Sequence, residues 1–193
     1  MYIPEHFAMT DADEVFAFVS ANAFGQLISQ VDGRLFSSHI PFLVSDDRKH
    51  LLAHVARANP QWRNLEGQEV LATFQGPHDY VSPSWYQTPG LPPTWNYQAA
   101  HIYGRCRLIE DPEQLKSIID RLTDQYESSF EQPWVPDYKS SMLRGIIGLE
   151  LTITDLQAKY KLSQNRSDED RSGVIEQLEA RGAEALASAM QKT

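Results

Sequence analysis

Asp32 and Gly33 separate two extended apolar runs, FGQLISQV and RLFSSHIPFLV. A two-residue Asp-Gly loop is the preferred type I′ connection, since both central residues must take positive φ, and it forces its flanks to pair as an antiparallel hairpin. The spacing predicts strands over about 25 to 31 and 34 to 44. Before them, TDADEVFAFVSANAF offers a capping residue, acids in the first turn and apolar Val15, Phe16, Phe18 and Val19, which predict a first helix. After them LLAHVA reads as a short strand leading to Asn59 and Pro60, a capping residue followed by proline at the first helical position.

EVLATFQG and HDYVSP read as further strand, SWYQTPGLPPTW as a proline-rich loop and NYQAAHIYGRCRLI as a long strand. In DPEQLKSIIDRLTDQY, Asp111 caps a helix that starts at Pro112 and carries Leu115, Ile118, Ile119, Leu122 and Tyr126 on one face. SSMLRG predicts a short helix, and IIGLELTITDL alternates as a half-buried strand. Ile175, Leu178, Gly182, Leu186 and Met190 then predict one closing helix over about 167 to 191. Strands in the middle with helices at the ends favour an α+β fold. A small antiparallel barrel with flanking helices is the economical arrangement, because closure removes exposed edges. The whole chain, 1–193, reads as a single domain.

Composition narrows the function classes. Asp plus Glu number 26 against 17 Lys plus Arg, a formal charge of -9. A field of that sign repels phosphate backbones and anionic lipid unless basic residues cluster locally, so strong nonspecific DNA binding is not expected. One cysteine, Cys106, cannot form an intrachain disulfide, the N-terminus lacks a secretory pattern, and no apolar run is long enough to span a membrane. These features predict a soluble, cytoplasmic protein.

Two places could hold an anion. The start at Asn59 and Pro60 offers free backbone N–H groups, with Arg57 two residues upstream. In QAKYKLSQNR, strand alternation puts Lys159, Lys161 and Ser163 on one face and Tyr160 and Leu162 on the other, and the alternative reading is a solvated strand face. Aromatic residues are dense between Tyr80 and Tyr103, where flat rings could cover a planar ligand or a partner surface. His50 and His54 lie about 13 Å apart if the segment is a strand, too far to share a metal. His78 and His101 read as core or turn hydrogen-bonders. No serine or cysteine has a nucleophile's surroundings, and no glycine-rich phosphate loop is present, so no catalytic residue or metal ligand is assigned.

Taken together, MYIPEHF, HVARANPQWRNL, FQGPHDYVSPSWY, PTWNYQAAHIYG and AKYKLSQNR closely resemble, in that order and over nearly the whole chain, the PaiB family of FMN-binding negative transcriptional regulators. The resemblance implies an antiparallel FMN-binding split β-barrel related to pyridoxamine phosphate oxidases and flavin reductases, which forms a homodimer with FMN at the subunit interface. It implies that His54, Arg57, Asn59, Gln61 and Trp62 of the ANPQW segment, with Lys159, Lys161, Ser163, Gln164 and Asn165, line the phosphate end of the FMN site. Ser82, Trp85, Tyr86, Trp95 and Asn96 would lie near the ring. Of the two lysines Lys161 is favoured, because it stands nearer Ser163 and Gln164.

Two functions fit these features. One is an FMN-binding regulator whose DNA contact is weak or partner-dependent, since no basic reading helix is visible and the C-terminal segment carries Glu176, Glu179 and Glu184. The other is a small flavin-dependent oxidoreductase acting on a small molecule, with an indirect regulatory effect.

Overall fold

The computed structural model describes residues 1–193, the side chain of Ser140 apart. Eight strands form one sheet: β1 (Ala8–Met9), β2 (Phe24–Val31), β3 (Arg34–Pro41), β4 (Leu43–Val44), β5 (His50–Ala56), β6 (Glu69–Val81), β7 (Thr94–Ile109) and β8 (Ile146–Lys161). Their order is β3-β2-β6-β7-β8-β5-β4, with β1 added on β8. Four α-helices accompany them: α1 (Ala12–Ala21), α2 (Pro112–Glu127), α3 (Asp168–Ala180) and α4 (Glu184–Gln191). The fold is therefore α+β, as the sequence implies.

Two compact units are woven from alternating stretches of chain. One comprises Phe16–Phe74 and His101–Leu156, the other Met1–Val15, Gln75–Ala100 and Gln157–Thr193. In the first, the Asp32-Gly33 loop has φ of 50° and 76°, as a type I′ turn needs, and β2 and β3 pair in register from Val31 with Arg34 to Phe24 with Pro41. Gly25 is required there, because a Cβ would sit 2.7 Å from the Thr73 carbonyl oxygen and 2.8 Å from the Phe74 ring. β3, at one end of the strand order, approaches β5, beside the other end, so the strand path curls back on itself. Leu27, Leu51, Ala53, Ile147, Leu149 and Leu151 fill its interior. Asp111 accepts the Gln114 N–H and starts α2, whose Leu115, Ile118 and Leu122 pack on Ile109 and Leu143.

The other unit is built from the N-terminal segment, parts of the three long strands, the proline-rich loop and the C-terminal helices. β1 pairs with β8 through Ala8 with Lys159 and Met9 with Ala158. α3 buries Val174 and Leu178, and α4 buries Leu186, Ala187 and Met190.

Four expectations change. The run 34 to 44 breaks at Phe42, which turns inward to meet the Phe74 ring edge-on at 5.2 Å and donates its N–H to Ala23. EVLATFQG and HDYVSP are one strand, because β2 pairs with β6 only over Leu71–Thr73 and Pro77 sits beyond that ladder. The helix after Asn59 is a five-residue 3-10 turn, Pro60–Asn64. The closing helix is two helices, because Gly182 takes φ of 79°, a conformation that ends α3. Among the described residues no helix is long and apolar enough to cross a membrane.

Candidate functional site

The ANPQW segment spends its polar groups on its own fold. Asn59 Oδ1 accepts the Gln61 N–H at 2.9 Å and Nδ2 donates to Ser38 Oγ at 2.8 Å. Gln61 is fully buried and donates from Nε2 to the Leu27 carbonyl at 3.0 Å and to Ser29 Oγ at 2.9 Å, leaving Oε1 without a partner. Trp62 Nε1 donates to the Arg57 carbonyl at 2.9 Å. Arg57 pairs with Glu110 at 3.0 Å and donates to the Arg144 carbonyl at 2.9 Å, so its charge is already matched. His54 lies on β5, where burial depresses its basicity, and its Nδ1 has no partner. The expectation of a helix N-terminus open to an anion is corrected here. The turn is too short for a useful dipole, and the capping side chain takes a donor that an anion would need.

The KYKLSQNR segment behaves differently. Lys159, only 8% exposed, donates to the Tyr2 carbonyl at 3.2 Å and faces the rings of Tyr2, Phe7 and Tyr97 at 5.4 to 6.0 Å. Lys161 Nζ donates to Thr94 Oγ1 and to the Trp95 carbonyl, both at 2.6 Å, and lies 5.7 Å from the Phe7 ring. Burial pulls the Lys161 ammonium down to about 8, reinforced by the like charges of Lys159 and Arg166. Among the described residues no carboxylate pairs with these three cations. A cation that is partly desolvated and meets only carbonyls, a hydroxyl and ring faces is a receptive partner for an anion.

The two lysines do share a face of β8, and both faces are covered: Tyr160 is buried on the other side, and Leu162, just past the strand, is buried as well. They are thus not a solvated strand face. Ser163 is not on that face, because β8 ends at Lys161 and Ser163 takes φ of 66° in the turn that follows. Its buried hydroxyl instead accepts Asn96 Nδ2 at 2.9 Å. Gln164 closes the turn, accepting the Leu162 N–H at 2.7 Å and donating to the Tyr160 carbonyl at 2.6 Å, while Asn165 is exposed.

Of the ring-end candidates, Trp95 alone presents a broad free surface. It is 53% exposed, with His78 and Tyr80 rings at 6.4 and 6.2 Å. Tyr86 is buried beneath Arg166 at 5.5 Å, and Trp85 is covered by Arg181 at 5.3 Å. Ser82 caps a 3-10 turn through Ser84, and Asn96 is fully buried with Oδ1 unpartnered. Arg166, Thr94, Phe7 and Tyr2 join the cluster without having been singled out by sequence. The signal available for Arg166 was its place directly after KYKLSQN. His78, on β6, donates from Nδ1 to the Gly76 carbonyl at 3.0 Å, whereas His101 Nδ1 is buried without a partner. Among the described residues no three His, Cys, Asp or Glu could hold a metal ion. Cys106 is buried, and its thiol is pushed up to about 12 by burial and by Glu66 and Glu150, so it stays protonated.

Known proteins extend this picture. The family described as "Putative FMN-binding domain" matches residues 1–155. The chain belongs to that FMN-binding family. A relative from Bacillus subtilis, "Protease synthase and sporulation protein PAI 2", is 41% identical over 187 residues, covering 93% of this chain and 89% of its own, which confirms the PaiB membership read from the motifs. FMN, the cofactor those motifs imply, is the one the family description carries.

Two solved structures share the fold at low identity. The flavocytochrome Anf3 of Azotobacter vinelandii has a TM-score of 0.70 at 16% identity, covering 89% of this chain and 78% of that one. An FAD and heme binding protein of Mycobacterium smegmatis has a TM-score of 0.67 at 17% identity, covering 86% and 78%. The antiparallel split barrel expected for this PaiB-family chain is therefore its fold.

Proposed function

We propose that this PaiB-family protein is a homodimeric, FMN-responsive negative regulator of transcription, with Lys161, Lys159 and Arg166 at the phosphate end of its flavin site and Trp95 at the ring end. One observation carries the reading: in a chain of net charge -9, three cations cluster without a carboxylate beside an exposed tryptophan. The donor set suits a phosphate, and the flat faces of Trp95, Tyr80 and His78 suit a planar heterocycle. Bound FMN would supply a ring whose charge and shape follow its redox state. The chain's own part is to hold the anion with the lysines and to fix the Thr94 hydroxyl and the Trp95 backbone carbonyl through Lys161.

The name of the Bacillus relative speaks of protease synthesis and sporulation, and control of such genes is the output this reading carries over. DNA contact is weak or made through a partner. α3 and α4 are joined by a short turn containing Gly182, yet their exposed residues include Glu176, Glu179 and Glu184, which repel phosphate. Exposed Tyr80 and Trp95 supply apolar area for a second subunit.

The test is the visible spectrum of purified protein before and after adding FMN, followed by gel filtration with light scattering. A flavin band that travels with a particle of about twice the 21.9 kDa chain mass supports the reading. A colourless monomer at micromolar concentration overturns it. Nanomolar operator binding by the protein alone at physiological salt would overturn the partner-dependent part.

A further inference from the structure

The stretch from Ser82 to Pro93 has little regular structure of its own, only the 3-10 turn Pro83–Trp85. Loops of this length are usually either functional or loose. This one is fastened by α3. Asp170, 2% exposed, accepts the backbone N–H of Gln87 at 2.7 Å and of Thr88 at 2.9 Å, and those hydrogen bonds hold its carboxyl below the usual range. Gly173 lets α3 approach the loop backbone: a Cβ there would lie 2.4 Å from the Trp85 carbonyl oxygen. Arg166 and Arg181 cover the Tyr86 and Trp85 rings.

α4 acts at the next point along the chain. Asn96 Nδ2 donates to Met190 Sδ at 3.4 Å as well as to Ser163, and Arg171 ties α3 to the Met190 carbonyl at 2.9 Å. Every one of these helical residues lies past residue 155, where the family match ends. A buried carboxylate is destabilising unless its hydrogen bonds are met, and here they are met by the loop.

We infer that α3 and α4 belong to the ligand site as its positioning element, with Asp170 holding the aromatic loop in the conformation that the ring end of the bound flavin needs. The inference rests on the FMN reading above and assigns the two ends of the ligand to different devices, the lysine turn for phosphate and the Asp170 clasp for the ring. Asp170 acts through the loop and touches no ligand.

The experiment is a titration of the full-length protein with FMN and, separately, with riboflavin, comparing wild type with Asp170→Asn. Both N–H donors converge on one Asp170 oxygen, which the amide keeps without its charge, so two charge-assisted hydrogen bonds become neutral ones and the loop should loosen. Both ligands should then weaken by the same factor, roughly 10-fold, leaving their affinity ratio unchanged. A purely structural role would lower the melting temperature without altering the affinity of the folded fraction, which overturns the inference. A loss confined to FMN overturns it as well, by moving Asp170 to the phosphate end. If Asp170→Asn does not fold, Arg181→Ala removes only an exposed cation from the Trp85 ring and should weaken both ligands equally by about 2- to 5-fold. No change in either ligand for that variant contradicts the clasp. If wild type binds neither ligand, the FMN reading itself falls; if wild type binds both and the variants match it, only the clasp falls.

Discussion

The Asn59–Trp62 turn and the Lys159–Arg166 turn both carry polar side chains that the sequence assigns to one phosphate, yet they differ in what is left over after folding. In the first, Asn59 caps Gln61, Gln61 reaches β2, Trp62 reaches Arg57, and Arg57 meets Glu110. In the second, three cations find only carbonyls, a hydroxyl and aromatic faces, and burial, with the like charges of Lys159 and Arg166, depresses Lys161. Charge balance, more than the presence of donors, is the ground on which we propose the second turn and not the first as the anion site.

The largest effect is expected at Gln61. Gln61→Leu leaves the Ser29 hydroxyl and the Leu27 carbonyl without their buried donor and should lower stability by about 1 to 3 kcal/mol in urea unfolding. FMN affinity of the folded fraction should stay unchanged, and a selective loss of FMN would return this turn to the site. Lys159→Met should do the reverse. A buried cation without a carboxylate is replaced by an apolar chain of similar length, so the melting temperature should hold or rise while FMN weakens roughly 5-fold. A lower melting temperature with intact FMN binding would make Lys159 structural.

A pH series gives a smaller effect with a definite sign. Lys161 titrates at about 8 in the folded protein against 10.5 for the free side chain, so between those values the unfolded state holds more protons and stability rises with pH. Ligand affinity runs the other way. A phosphomonoester takes its second charge near about 6 and Lys161 loses its own above about 8, so FMN affinity should peak between them and fall a few-fold by pH 9. Lys161→Arg should flatten the upper limb, because a guanidinium does not titrate there. The smallest effect is expected at Arg57. Arg57→Ala removes a partly exposed pair with Glu110, which should lower stability by at most about 1 kcal/mol and leave FMN affinity within about 2-fold.

Local features were the legible ones. The Asp32-Gly33 turn, the Asp111 cap and the apolar face of α2 depend on neighbours in the chain, and each forms as read except that Tyr126, expected on that face, is exposed. The shared face of Lys159 and Lys161 was legible from the period of two, while Ser163 escaped it because a positive φ ends the alternation. Gly182 at helical spacing looked like a small core residue, and only its backbone angle shows that it divides two helices. What separates the two turns was not readable, because it depends on partners far along the chain: Glu110 is 53 residues from Arg57, and Thr94 is 67 from Lys161. Periodicity names faces, but charge matching across strands is a property of the fold.

The most direct measurement is the ratio of FMN to riboflavin affinity in wild type, Lys161→Ala and Asn59→Ala, read by flavin fluorescence at neutral pH. Removing the Lys161 ammonium should delete a charge-assisted contact of about 1.5 to 3 kcal/mol, so the ratio should fall roughly 10- to 150-fold in Lys161→Ala, with riboflavin unchanged. In Asn59→Ala the ratio should stay at the wild-type value even though the turn loses its cap. A ratio preserved in Lys161→Ala and lost in Asn59→Ala would rule out the lysine turn and place the phosphate at the other one.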